Sequence, residues 1–163
     1  MSKTVPVEYN DVFFWAYDVA FQILCVEAAR VGAETPADAR PGWWADLERN
    51  LLDHAAVGAN WAFLLDDYTD EQRRLLLDSF TEAARRVEAR GGVSLAEVET
   101  WDEVEGDAAS WLRHAEHIDA APLVELAAAL VDLEAGTLPP DPPGGHWFYG
   151  LPQGRIVQGD RPG

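Results

Sequence analysis

The residues best placed to do chemistry in this sequence are carboxylates, and they are bunched. Positions 97 to 107 hold Glu97, Glu99, Asp102, Glu103, Glu105 and Asp107 with no basic residue among them, and Trp101 stands inside the run. Asp66, Asp67 and Asp70 form a second group, followed by Glu71. An aromatic anchor ringed by negative charge is suited to plug a cationic cleft, such as one that attracts phosphate. Charge at this density also speeds association with a basic partner at low salt. Calcium is a weaker match, because the ligand order and central Gly of an EF-hand loop are missing.

Other chemistries find less support. His114 and His117 are three apart, whereas the zinc-protease helix needs a four-residue spacing with Glu after the first His. His54 and His146 are isolated and read as surface or capping side chains. The Gly91-Gly92 and Gly144-Gly145 pairs fall at element ends and make no phosphate loop. There is no Gly-x-Ser-x-Gly elbow, and Cys25, in an apolar stretch without a basic neighbour, reads as an inert thiol. The expectation is no catalytic residue, no metal and no cofactor. One alternative is kept. Asp11, Asp18 and Gln22 share a line at helical spacing, so Asp11 or Asp18 could enter a pocket walled by Trp15, Tyr17, Trp44 or Trp61.

The balance of charge points the same way as the clusters. The 163 residues carry a formal net charge of −17, and residues 91–150 hold twelve carboxylates against a single base, Arg113. Nucleic acid and anionic membrane are polyanions and are disfavoured as partners; a basic protein is favoured. Composition sets no oligomeric state. Nearly all bases are Arg and Ala is abundant, a GC-rich bacterial usage in which acidity can also simply aid solubility. One cysteine and no basic, apolar leader suggest the cytoplasm. Asp18 interrupts the longest apolar run, which is too short to span a bilayer.

These residues need elements to hold them. The run Asn10–Val31 predicts one buried helix, capped by Asn10 and stapled by Tyr9 and Phe14. Residues 1–9 form an extended lead-in, with Pro6 placing Thr4–Glu8 on an edge. A second helix begins near Pro41 and ends at Gly58; residues 61–65 suit strand or helix equally. Thr69 with Gln72 is a capping box opening a helix that closes at Gly91-Gly92. Ser94–Glu97 and Thr100–Glu103 predict a helical turn that breaks and restarts, and Asp119 caps a helix to Ala135. A Pro-rich connector, 138–145, leads to a hairpin over 146–158, expected to lie across the helices and pair with 4–8 or 61–65.

The resulting expectation is a mainly α fold. It is one domain over 1–163, a bundle of about five helices around a buried N-terminal helix with a small C-terminal hairpin. The expected function is that of a non-enzymatic acidic protein blocking a basic site on a partner, most concretely a toxin-immunity-type inhibitor. A small-molecule binder or enzyme with an aromatic and carboxylate pocket is the alternative.

Overall fold

Two backbone angles decide how the chain begins. Asn10 and Asp11 have φ of 50° and 61°. Those positive values belong to a type I′ turn, the two-residue connection whose twist matches paired strands, and Asn and Asp tolerate them better than most residues. The turn joins strand β1 (Thr4–Tyr9) to strand β2 (Val12–Tyr17), which pair antiparallel from Thr4↔Tyr17 to Tyr9↔Val12. The computed structural model describes residues 4–57 and 61–159.

The mainly α expectation is therefore overturned, and the fold is α/β. The apolar run from 10 to 31 is divided: its first part is turn and strand, and helix α1 (Asp18–Ala33) starts only at Asp18. Apolar residues on nearly every position hide the difference between periods of 2 and 3.6, so the run looked like one helix. Asn10 caps nothing, and the Tyr9–Phe14 staple does not form, because both residues lie in strands.

A five-stranded sheet runs β3-β1-β2-β6-β7, where β3 is Phe63–Leu64, β6 is His146–Tyr149 and β7 is Ile156–Gln158. It is mixed: β1 with β3 and β2 with β6 are parallel, and the other pairs antiparallel. Thus β1 is an interior strand rather than an edge; β3 pairs only at Val7 and Glu8, past Pro6. The C-terminal strands do not lie across the helices. They extend the sheet through Trp15↔Phe148 and Ala16↔Tyr149, and neither 4–8 nor 61–65 is their partner.

On one face of the sheet lie α1 and helix α5 (Ala120–Ala135). Helix α3 (Asp70–Ala89) packs on both, and helix α2 (Trp44–Val57) packs on α1. Sandwiched between sheet and helices, α1 is buried from Asp18 through Ala29. Phe21, Ile23, Leu24 and Val26 are wholly inaccessible, each contributing roughly 1.5–3 kcal/mol through burial. Gly32 lets α2 approach: a Cβ there would stand 2.0 Å from the Trp44 ring. The Thr69–Gln72 capping box opens α3, and Gly91 turns away after it with φ of 83°. The proposed helix stop at Gly58 lies outside the described residues.

The turn makes a sharp prediction. Asp11→Gly should stabilise the fold by roughly 0.5 kcal/mol, because Gly adopts a positive φ without strain. Asp11→Val should cost about 1–2 kcal/mol. A helix over these residues would reverse that order, and urea unfolding of the two variants distinguishes them.

Candidate functional site

After α3 the chain makes an excursion that carries most of the predicted site. Strand β4 (Gly92–Ser94) pairs antiparallel with strand β5 (His117–Asp119), closing the base of the excursion. Ser94 caps the one-turn helix α4 (Leu95–Val98) by accepting from the Glu97 amide at 3.2 Å. The helix does not restart at Thr100, whose hydroxyl donates to the Glu97 carbonyl instead. A loop follows to a 3-10 turn over Ala108–Leu112. Val98, Val104, Ala108 and Leu112 pull the excursion onto the core.

Arginines on and around α1 fix it. Arg30, in the last turn of α1, grips Glu103 through Nε at 2.5 Å and Nη2 at 3.1 Å. The same guanidinium lies 4.9 Å above the Trp101 ring. Trp101 is only 7% exposed, so it is a core residue beneath the loop and not a protruding anchor. Arg90, at the end of α3, bonds both Glu97 and the buried Glu27. Burial pushes the Glu27 carboxyl up, and Arg90 pulls it back. Arg113 makes a two-pronged pair with Asp18 and reaches the Tyr17 hydroxyl at 3.2 Å. That partner holds the Arg113 guanidinium above its usual range.

The predicted residues therefore separate into groups. Glu97 and Glu103 are committed to arginines, and Trp101 is buried. Glu99, Asp102, Glu105 and Asp107 are exposed along the loop. Asp66, Asp67 and Asp70 stand at the opposite end of α3, a 20-residue helix about 30 Å long. There Asp66 accepts from the Asn10 amide at 3.0 Å and Asp70 pairs with Arg73, while Asp67 is exposed. The two clusters do not share a face.

The excursion instead meets residues that sequence reasoning missed. One face of α2, Glu48, Arg49, Leu52 and Asp53 with Ala45 and Ala56, lies opposite Glu103, Val104 and Glu105 across a groove of about 460 Å³. Leu52, Val104 and the alanines make an apolar floor. Glu48, Asp53, Glu103 and Glu105 supply carboxylates, against the single Arg49, which already faces Asp46 at 3.5 Å. The polar face of α2 was visible as Asp46, Arg49 and Asp53 at helical spacing. Its apposition to residues 50 positions later had no local signal.

Among the described residues, the side chains of the alternative pocket do not line one cavity. Asp18 is 5% exposed and locked to Arg113. Asp11 is in the β1–β2 turn, Trp44 lies against Gly32, and Trp61 is 52% exposed. His117 contacts the Gly91 carbonyl at 3.1 Å through Nε2, and His114 is exposed. His54, read as a surface or capping residue, is buried against the edges of Phe21 and Phe63, and its Nδ1 has no hydrogen-bond partner among the described residues. It anchors the inner side of α2, the helix whose outer side walls the groove. Comparison with known family models, with curated proteins and with solved structures finds no match to this chain.

Burial holds the His54 imidazole below its ordinary pKa of 6.5. The folded state therefore keeps it neutral while the unfolded chain protonates below pH 6.5. Its contribution to stability is intact above that value and falls as pH drops toward the lower, folded-state pKa. Unfolding measured from pH 7.5 to 5 should show wild type losing stability relative to His54→Phe. Parallel curves would place the imidazole in water.

Proposed function

We propose that this is a non-enzymatic acidic binding protein that occupies a basic site on a partner protein. A toxin-immunity-type inhibitor acting in the bacterial cytoplasm is its most concrete form. The observation that carries the reading is the groove between α2 and the 103–105 segment, where Glu48, Asp53 and Glu105 stand around an apolar floor beside the Arg30-paired Glu103. Lys and Arg side chains combine an apolar stem with a cationic head, and that combination matches floor and rim together. Glu99, Asp102 and Asp107, exposed on the adjoining loop, extend the negative field beyond the groove. The loop is pinned by Arg30 through Glu103 and Trp101, so little ordering is required on association. Among the described residues no helix is long and apolar enough to cross a membrane.

The test is capture of a basic protein from lysate of the source organism by the immobilised chain, with identification by mass spectrometry. Capture should weaken as salt rises from 0.05 to 0.5 M. The triple change Glu48→Lys, Asp53→Lys, Glu105→Lys should reduce affinity for the captured protein more than tenfold, while Asp66→Lys with Asp67→Lys should leave it nearly unchanged. Equal capture by wild type and the groove variant would remove the groove as the binding site.

A further inference from the structure

We infer that a cavity between the end of α1, the loop leading into α2 and the middle of α3 binds a small organic cation, an ammonium group carried on an apolar body. The inference is independent of the acidic groove, with which this cavity shares no lining residue. The cavity has a volume of about 460 Å³ and opens to solvent. Val31, Ala39, Pro41, Trp44 and Leu75 give it mostly apolar walls. Small-molecule sites are commonly clefts of roughly 300–1,000 Å³, apolar but for a few placed polar groups.

The walls are fixed by contacts of their own. Gly32 admits the Trp44 ring, which is 4% exposed and closes one side. Arg40 donates through Nε to the Thr35 carbonyl at 2.7 Å and through Nη2 to the Ala33 carbonyl at 2.6 Å, folding the loop back on the end of α1. Arg86 on α3 holds Glu34 through Nη2 at 2.7 Å and Glu82 through Nε at 2.8 Å, so the end of α1 is tied to α3. A recess held open in this way needs little ordering when a ligand enters.

Charge selects the occupant. Three charged side chains line the cavity: Arg40, Asp78 and Glu82. Arg40 is committed to main-chain carbonyls, and Glu82 to Arg85 and Arg86. Asp78, exposed on α3, has no ion-pair or hydrogen-bond partner among the described residues. Pro41, Leu75 and Asp78 also line a smaller cavity of about 110 Å³, so the carboxylate stands where the two recesses meet. The half-buried Trp43 lines that smaller recess, and the face of an indole attracts cations. Glu71 and Arg74, its remaining charged groups, are opposite in sign. The net charge of −17 draws cations toward the molecule and repels organic anions. An ammonium at Asp78 with its apolar body against Trp44 and Leu75 satisfies carboxylate and wall together.

NMR titration of the full chain with phenethylammonium tests this, because it reads affinity and position at once. The Trp44 indole N–H and the amides around Asp78 should shift and saturate, with a dissociation constant of about 1 mM or below for a ligand of this size. Phenylacetate has the ring with the opposite charge, and methylammonium has the charge without the body. Each should bind at least tenfold more weakly. Asp78→Asn should weaken phenethylammonium about fivefold, the worth of one exposed ion pair, and leave binding of neutral 2-phenylethanol unchanged. Ala39→Phe, at an exposed position of the loop, should fill the recess and abolish the shifts. Absence of saturable shifts up to about 10 mM overturns the assignment. So do shifts spread along residues 99–107, which mark general attraction to the acidic surface, and an Asp78→Asn chain that binds the cation as well as wild type.

Discussion

Two acids on the most buried helix impose a demand that shapes the whole excursion. Asp18 and Glu27 are each 5% exposed on α1. An unanswered buried charge costs several kcal/mol, and removing one partner of such a pair costs about 3–5 kcal/mol. The answering groups come from outside the helix: Arg113 for Asp18 and Arg90 for Glu27. Arg113 reaches its position from a left-handed backbone, with φ of 47°, and His114 follows at 73°. An arginine adopts that conformation at a cost on the order of 1 kcal/mol or more, and its surroundings must hold it there. The ion pair with Asp18 is such a hold.

The local consequence is a division of labour among carboxylates. Arginine neutralises those that touch the core, and this fixes the chain between Arg90 and Arg113 against α1. Trp101 and Val104 then point inward while Asp102 and Glu105 point outward. The groove wall is thus a by-product of pinning: Glu103 serves both as Arg30's partner and as a groove carboxylate. Acidity that looked uniform in the sequence becomes structural at Glu97 and Glu103 and free at Glu99, Asp102, Glu105 and Asp107. A solvated helix edge would have shown no such sorting.

What could be read from the sequence follows from distance along the chain. The Thr69–Gln72 box and the Ser94 cap involve neighbours three residues apart, and each was legible. The strand–helix boundary at Tyr17–Asp18 was not, because VFFWAY is apolar on both faces and mimics a buried helix. The Asn10–Asp11 pair between two apolar runs was the available signal, weaker than Asn-Gly and outweighed by the continuity of the run. Asp18 and Arg113 lie 95 residues apart, and the two walls of the groove about 50. Such pairings depend on the packing of α1 between sheet and helices and have no local trace. Trp101, expected as the anchor of the acidic run, is buried instead, since an aromatic among acids can be the loop's root as readily as its tip.

The central claim is that the acidic excursion is a fixed wall held to α1 by arginine, and hydrogen–deuterium exchange tests it most directly. The Trp101 amide donates to the Val98 carbonyl at 3.0 Å, and Trp101 and Val104 are buried. In wild type the Trp101 amide should exchange at least a hundredfold more slowly than an unstructured amide. In Arg30→Leu that protection should fall at least tenfold, while amides in the middle of α3 keep theirs. Unprotected exchange across 99–107 in wild type, or unchanged protection in the variant, would contradict the account.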